Sequence, residues 1–317
     1  MKGNETMHHF GLVHIDTNSK YPNLVLMKLS AWIKSKFQPG TYQIDLLKPA
    51  DILNGYNLFV NKYDAVYGAC VFSENKPIAD QLAKHGVVVG GSGTGKHEIM
   101  LRPDQEHIMP DYSLYGITDT AYGFLTRGCP RKCPFCIVAS KEGAESRKVA
   151  NLSEFWNGQK VIKLLDPNLL ACDDRFDLLG QLANSGAKVD FTQGLDARKL
   201  SPAVIESLNK IKIERVHFAW DNPRDKRIPA ALSAFLHHTS IKEVKRRTVY
   251  VLTNFWSTLE EDLYRIYWLR DNGYDPYVMI YDKPNAPKEI RYLQRWVNNK
   301  RIFRTVLKFE EYDHTIG

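Results

Sequence analysis

Short apolar segments with strand character alternate with helical segments along most of this chain. In the first third, the strands are "FGLVHIDT", "YQIDLL", "DAVYGACVF" and "GVVVGG", and helical spacing marks "NLVLMKLSAWIKSKF" and "KPIADQLAKH". Strands that alternate with helices join into parallel sheets whose faces the helices cover. The sequence therefore predicts the α/β class, beginning with a small Rossmann-like domain over residues 1–97.

A second series of strand and helix segments starts near residue 118. Its strands are "AYGFLTRG", "VIKLLDPN", "KVDFTQG", "RVHFAWDN", "TVYVLTN" and "YVMIYDK". Six β/α units are fewer than the eight of a closed barrel, so we expect a partial (β/α)6 TIM-like barrel over residues 118–285. Residues 98–117 are weakly periodic and predict a linker. The segment "KEIRYLQRWVNNKRIF" predicts an amphipathic helix in a C-terminal extension, residues 286–317.

The composition restricts where the protein works and what it binds. No run approaches the ~20 apolar residues of a membrane span, and the start "MKGNETMHHF" lacks the apolar core of a signal peptide. We therefore expect a cytoplasmic protein with no membrane partner. The net charge of +7 comes entirely from residues 118–317, which suits an anionic substrate or nucleic acid. A charge of this size is also ordinary for solubility, so nucleic acid is not the favoured partner.

The stretch "HGVVVGGSGTGKHEIM" fits a phosphate-binding P-loop from Gly90 to Lys96 at every position but the last. A P-loop needs Ser or Thr after the lysine to hold magnesium, and a helix must follow it. Here His97 follows the lysine, and "EIMLRPDQ" is short and close to a proline. The glycines are instead typical of a sharp turn at the end of a strand, and we do not expect nucleotide hydrolysis.

Three of the five cysteines are clustered in "TRGCPRKCPFCIV", at Cys129, Cys133 and Cys136. Thiolates are soft ligands that suit zinc or an iron–sulfur cluster. A structural zinc site takes four ligands, and no histidine or further cysteine lies nearby in the sequence. A cubane cluster held by three thiolates would leave one iron open to a substrate or cofactor. The other two cysteines, Cys70 and Cys172, are predicted core residues, although Cys172 is also a candidate hydrogen-atom donor.

This C-x3-C-x2-C spacing after the first strand of a β/α series resembles the radical S-adenosylmethionine (SAM) superfamily. The resemblance covers about residues 111–285 and includes the aromatic Phe135 before the third cysteine. It implies a [4Fe–4S] cluster on the three cysteines, whose open iron is chelated by SAM, and reductive cleavage of SAM to a 5′-deoxyadenosyl radical. It further implies an external electron donor such as flavodoxin or ferredoxin, and contact between Phe135 and the adenine.

One departure concerns the Gly-Gly-Glu stretch with which the family often binds the SAM amino group. Here "LLDPNLL" follows the second strand, so Asp166 or Asn168 is the candidate for this contact, unless "DPN" is simply a turn. Further candidates at the ends of later strands are Gln193, Asp196, Arg198, Trp220, Asp221, Asn254, Tyr281, Asp282 and Lys283. Each is also compatible with a turn or salt-bridge role. Trp220 and Asp221 are placed to reach a ribose or substrate.

A Rossmann-like domain before the cysteine motif resembles the cobalamin-dependent branch of the superfamily, whose last strand ends in a similar Gly-Gly turn. The resemblance implies a corrin, or no ligand, at the edge lined by Gly90 and Gly91; the Asp-x-His-x-x-Gly motif for a lower ligand is lacking. Three alternatives stay open: cobalamin-assisted methyl transfer or rearrangement, radical SAM chemistry without cobalamin, and a non-catalytic iron–sulfur redox sensor. The sequence does not identify the substrate.

Overall fold

A computed structural model describes residues 7–55, 62–95 and 100–315 of the chain. The chain divides into two compact units: Met1–Ala121 with Ser153–Asn157, and Tyr122–Leu152 with Gly158–Gly317. The protein is of mixed α/β type, with one parallel sheet of four strands and one of six. No helix in the described ranges is long and apolar enough to cross a membrane.

The first unit is built on the four-stranded sheet, whose order is β2-β1-β3-β4. Its elements are β1 (His8–His14), α1 (Leu24–Lys36), β2 (Tyr42–Leu47), α2 (Pro49–Leu53), β3 (Ala65–Ala69), α3 (Lys76–Lys84), β4 (Val88–Gly90) and α4 (Pro103–Glu106). Every strand that the sequence predicts here is present. Helix α1 begins at Asn23, whose side chain accepts from the Leu26 amide, as a good N-cap does.

The alternation of apolar residues along β1 explains why helices cover both faces of this sheet. Leu12 belongs to a core cluster with Leu26 and Ile33 of α1, whereas its neighbour Val13 packs in a second cluster with Leu82 of α3. Successive strand residues point to opposite faces, so β1 supplies both cores. A buried parallel sheet requires this arrangement.

The segment 98–117, which the sequence predicts as a linker, lies within the first unit. Lys28 of α1 forms an ion pair of 2.7 Å with Glu106, and Ser30 donates to Asp111 over 2.6 Å. Lys34 also pairs with Asp111 at 2.7 Å. The described part of this segment is therefore fastened to α1 by polar contacts, which apolar periodicity does not reveal.

The second unit holds the six-stranded sheet, whose order is β12-β11-β10-β9-β8-β5. Its elements are β5 (Thr120–Gly123), which straddles the division, β6 (Thr126–Arg127), α5 (Val138–Glu142), β7 (Arg147–Lys148), β8 (Val161–Leu164), α6 (Arg175–Ser185), β9 (Lys188–Phe191), α7 (Pro202–Asn209), β10 (Lys212–Ala219), α8 (Arg227–His238), β11 (Arg247–Thr253), α9 (Leu259–Asp271), β12 (Asp275–Ile280), α10 (Lys288–Asn298) and α11 (Lys300–Thr305). Apart from β5, each strand of this sheet lies beside its neighbour in the chain.

The two faces of the six-stranded sheet differ in polarity. One face carries buried apolar side chains such as Phe191, Phe218 and Val251. The alternate positions include Asp190, His217 and Tyr250, and the His217 and Tyr250 rings stack at 5.2 Å. A parallel sheet covered on both sides by helices would be apolar on both faces, so the second face is built for polar contacts.

Two predicted elements differ from the structure. The strand "AYGFLTRG" breaks into β5 and β6, because the amides of Leu125 and Thr126 bond to the Asp166 carboxylate and not to a neighbouring strand. The closing helix "KEIRYLQRWVNNKRIF" is two helices, because the Asn299 side chain accepts from the Arg301 and Ile302 amides and starts α11. In both places a side chain accepts hydrogen bonds from backbone amides that would otherwise bond within a regular strand or helix.

Candidate functional site

The three clustered cysteines lie on one loop between β6 and α5, which we call the cysteine loop (residues 128–137). Gly128 has φ +84°, and a Cβ there would meet the Glu145 carbonyl oxygen at 2.1 Å. The Cys129 amide donates to the Gly143 carbonyl over 3.1 Å, and the Cys136 amide to the Cys133 carbonyl over 3.0 Å. The start of this loop therefore requires glycine, and the backbone fixes the first cysteine.

The donor set on the cysteine loop has the chemistry of a soft metal site. Cys129, Cys133 and Cys136 are all free thiols, half-buried at the first two positions and exposed at the third. Within the described ranges, no group of three or more Cys, His, Asp or Glu side chains is arranged as a metal site. Three thiols are nevertheless the ligand types that suit an iron–sulfur cluster.

Asn168, just beyond β8, is the residue that connects the cysteine loop with the ends of the strands. Its Nδ2 lies 3.4 Å from the Cys129 sulfur and 3.4 Å from an Asp196 carboxylate oxygen. Because a carboxylate accepts hydrogen bonds, the amide nitrogen must face Asp196. Asn168 Oδ1 is then left buried and without a hydrogen-bond partner within the described residues. A buried acceptor without a partner is costly and marks a place for a donor.

Beyond Asn168, charged residues continue along the same edge of the sheet. Arg198 donates through Nε to Asp196 over 2.6 Å and pairs with Asp225 at 3.5 Å. Asp196 and Arg198 follow β9, and Asp225 follows β10. Carboxyl ends of neighbouring parallel strands meet at one edge, where α/β proteins bind ligands. Arg198, which is a candidate to meet a carboxylate, already has two acidic partners here.

Asp221, directly after β10, is a carboxyl group held among cations. Burial raises its pKa to about 6, while the charges of Arg198, Arg265 and Arg131 oppose that rise. Burial also raises the pKa of the Cys133 thiol, and the charge of Asp221 raises it further. Asp221 is therefore close enough to the cysteine loop to act on it electrostatically.

Arg265 of α9 is a functional candidate that sequence patterns do not single out. Its guanidinium is fully buried and donates to the backbone oxygens of Trp220 and Leu252. It also pairs with the buried Asp262. One side chain thus joins the ends of β10 and β11. The only sequence signal is an Asp and an Arg three residues apart on the covered face of a helix.

Phe135 of the cysteine loop packs against aromatic residues that follow β11. Its ring meets Phe255 at 5.4 Å and Trp256 at 5.5 Å, both edge-on. Phe255 in turn packs on Tyr281 at 4.7 Å. Trp256 and Tyr281 remain 38% and 41% exposed, so this cluster offers aromatic surface beside the loop.

Of three further candidates from the sequence, Asp166 and Trp220 are buried and Gln193 is exposed. Asp166 is 5% exposed, and its oxygens accept from Leu125 and Thr126. Trp220 is 1% exposed, and its Nε1 donates to the Asn222 carbonyl; burial thus removes its ring from any ligand surface. Gln193 is exposed in the turn after β9.

The remaining strand-end candidates shape turns. Asn254 has φ +63° and Asp282 has φ +47°, and small polar residues tolerate this conformation best. Asn254 donates to the Tyr281 carbonyl over 2.8 Å, and Asp282 accepts from Asn285 over 3.0 Å. Lys283 starts a 3-10 turn. These residues therefore close the turns after β11 and β12.

The isolated cysteines are core residues, as the sequence predicts. Cys70 is 0% exposed and its sulfur contacts the Phe72 carbonyl, and Cys172 is 1% exposed. Burial raises the pKa of both thiols, that of Cys70 to about 11. Both thiols are enclosed in the core, whereas those of the cysteine loop are half-buried or exposed.

The glycine-rich turn after β4 is filled by the protein's own backbone. A Cβ on Gly91, whose φ is +107°, would lie 2.3 Å from the Cys70 carbonyl oxygen, and one on Gly93 would lie 2.5 Å from that of Phe72. The Gly93 amide donates to the Cys70 carbonyl. Close packing within the chain therefore accounts for Gly91 and Gly93 without a ligand. Lys96 and His97 of the P-loop look-alike lie outside the described residues.

Comparison of the chain with protein-family models and with curated proteins finds no match to either.

Proposed function

We propose that the protein is a radical SAM enzyme that binds a [4Fe–4S] cluster through Cys129, Cys133 and Cys136. The observation that carries the proposal is the contact of Cys129 with Asn168, which brings the cysteine loop to the edge where β8, β9 and β10 end. When bound, the cluster would supply the electron that cleaves SAM reductively. An external donor such as flavodoxin or ferredoxin would reduce the cluster.

In this proposal the second unit is a partial (β/α)6 barrel and the first a Rossmann-like domain. The order of the six-stranded sheet favours it, because strands β8 to β12 are neighbours in sequence and in space. Loops at the carboxyl ends of such strands converge on one site. The polar face that carries Asp190 and His217 would then line the interior, where an unidentified substrate would bind.

The chain's own residues divide the work of holding SAM. Asn168 Oδ1, buried and without a partner among the described residues, would accept a hydrogen bond from the SAM ammonium group, in place of the family's Gly-Gly-Glu stretch. Asp166 does not compete, because its oxygens bind the Leu125 and Thr126 amides. The exposed rings next to Phe135 would contact the adenine. Arg265 would keep Asp221 in place at the end of β10.

Cobalamin has no step in this proposal. The turn after β4 is packed against Cys70 and Phe72, and Asp16 after β1 accepts from the Val71 amide and Asn75. Both loops that would contact a corrin thus have partners inside the first unit. Equilibrium dialysis of the protein against hydroxocobalamin tests whether the first unit binds a corrin. Binding above background would favour the cobalamin-assisted reaction instead.

Anaerobic reconstitution tests the cluster assignment. We expect about four irons per chain, and reduction with SAM should give methionine and 5′-deoxyadenosine. Any single Cys→Ala change in the cysteine loop should abolish both, whereas Cys70→Ala and Cys172→Ala are matched controls that should keep the iron. Full iron content in Cys133→Ala would overturn the assignment. A cluster without 5′-deoxyadenosine would instead indicate the redox-sensing alternative.

A further inference from the structure

A basic pocket of about 590 Å³ lies at the amino-terminal ends of β9 and β10 and just before β11. It is the opposite edge of the sheet from Asn168 and Asp221. Eight residues line it, and five of them are basic: Lys188, Lys212, Arg215, Lys245 and Arg246. The run "KEVKRRT", which the sequence predicts to be solvated surface, thus lies beside further cations of β9 and β10.

A β-bulge in β10 directs Arg215 into the basic pocket. Ile213 and Val216 are both buried although they are three residues apart, and the pairing with β9 shifts between Ile213 and Arg215. An extra residue at this point leaves two consecutive side chains, Glu214 and Arg215, exposed. Bulges re-aim side chains in this way. Without the bulge, strict alternation would turn Arg215 toward the apolar face.

The acidic residues of the basic pocket do not neutralise it. Glu214 pairs with Lys188 at 3.3 Å, and Glu243 pairs with Arg246 at 2.9 Å. Three cations remain without an ion pair in the part of the chain that the structure describes: Lys212, Arg215 and Lys245. Like charges gathered at one place repel each other, and an anionic ligand relieves this repulsion.

An exposed aromatic residue, Tyr277 of β12, lies on the same face of the sheet as Arg215: it pairs with Tyr250, which pairs with Ala219, four residues after Arg215. Burial lowers the pKa of Lys300, and neighbouring arginine charges, including that of Arg215, add to the lowering. Lys300 Nζ in turn lies 6.0 Å from the centre of the Tyr277 ring. Tyr277 is 38% exposed and rests edge-on against Tyr250 at 5.8 Å. Tyr250 thus packs against the Tyr277 ring, and part of the Tyr277 side chain remains accessible.

We propose that the basic pocket binds the sugar–phosphate backbone of a single-stranded nucleic acid and that Tyr277 stacks on one of its bases. Proteins that bind single strands combine a cationic groove with aromatic side chains. A small free anion would use the cations and leave the ring without a role. The cations Lys212 and Lys245 lie at the opposite edge of the sheet from Asn168, so the proposal does not rest on the reaction at the cysteine loop.

Fluorescence anisotropy with the full chain and a labelled uridine oligonucleotide of about 12 nucleotides, within the range of known single-strand sites, tests the proposal. We expect Lys212→Glu and Lys245→Glu each to weaken binding by about tenfold and to reduce the salt dependence by about 0.7 in log–log slope for each phosphate that the variant no longer neutralises. The matched control is Lys288→Glu, an exposed residue at the start of α10, which should change affinity less than about twofold by general charge alone.

Tyr277→Ala tests the stacking contact separately. It should weaken binding by about fivefold or more without changing the salt slope, and Tyr277→Phe should restore affinity, because stacking needs only the ring. Equal affinities of the wild type and the two pocket variants would overturn the proposal, as would an equal loss in Lys288→Glu. Binding of pyrophosphate without binding of the oligonucleotide would overturn it in favour of a small-anion site.

Discussion

The amide nitrogen of Asn168 lies 3.4 Å from the sulfur of Cys129, although 39 positions separate the two residues. The contact joins the loop after β6 to the end of β8. It also leaves Asn168 Oδ1 buried without a partner among the described residues. This pair therefore connects the proposed cluster ligands with the proposed contact to SAM, and the first prediction concerns it.

Asn168→Ala should weaken SAM binding by about 10- to 100-fold, because a hydrogen bond to a charged group contributes roughly 1.5–3 kcal/mol. Anaerobic equilibrium dialysis of the reconstituted protein gives the dissociation constant. Iron content, measured in parallel, should stay close to that of the wild type. Asn184→Ala, at an exposed position of α6, is the matched control and should bind SAM normally. Unchanged affinity in Asn168→Ala would remove this residue from the site.

Asp166→Ala should lower the free energy of unfolding by about 2–4 kcal/mol, because it leaves buried amides without a hydrogen-bond acceptor. The carboxylate accepts from the amides of Leu125 and Thr126 and from the Thr126 hydroxyl. Thr126→Val, which loses only the hydroxyl, should cost about 1 kcal/mol. Urea denaturation measures both. A variant of Asp166 as stable as the wild type would contradict this structural role.

His217 should make stability depend on pH. Burial lowers the pKa of His217 to about 4, with Arg215 adding to the effect, from an ordinary value of 6.5. Between these values the unfolded chain binds a proton that the folded chain does not. The stability that the neutral His217 provides is therefore fully present above pH 6.5 and is lost as the pH falls toward 4. At ~1.4 kcal/mol per pKa unit, this is about 3 kcal/mol at most.

The measurement compares the wild type with His217→Gln by urea unfolding between pH 4 and pH 7. The difference in stability between the two proteins should shift by up to about 3 kcal/mol in favour of the variant on acidification. His237→Gln, at an exposed position of α8, is the control and should follow the wild type. A pH-independent difference for His217→Gln would show that its imidazole titrates normally.

Gly91→Val should destabilise the first unit by about 3 kcal/mol or more, whether or not a corrin binds. The new Cβ would meet the Cys70 carbonyl oxygen at 2.3 Å, on a backbone with φ +107°, which β-branched residues do not tolerate. Gly95→Ala, where φ is +70° but the space is open, should cost about 1 kcal/mol. Thermal unfolding distinguishes the two variants, and equal melting temperatures would argue against the close packing.

The break between β5 and β6 shows why local pattern did not predict this part of the fold. The apolar content of "AYGFLTRG" is that of one strand, and periodicity reports only which residues are covered. The break depends on Asp166, 40 residues away from Thr126. Similarly, Asp166 and Asn168 are equivalent candidates in "LLDPNLL", and only their contacts distinguish the residue that holds a turn from the one with an unpaired oxygen.

The basic pocket is a second case, in which a bulge decides the outcome. The sequence shows Lys212 and Arg215 on one segment and Lys245 on another, as ordinary surface charges. Pairing of β9, β10 and β11 brings the starts of these strands together, and the register shift before Arg215 directs its side chain. Neither event leaves a trace in the composition or the charge count.

The sequence by itself determined the α/β class, the two series of strands and the cysteine motif with its free thiols, because periodicity and spacing are local properties. Only the tertiary structure decided the partners of those residues. The contact of Asn168 with Cys129, the bridge that Arg265 makes between β10 and β11, and the gathering of cations around Arg215 all join distant segments. They depend on strand order and register, which long-range packing sets and which no short stretch of sequence encodes.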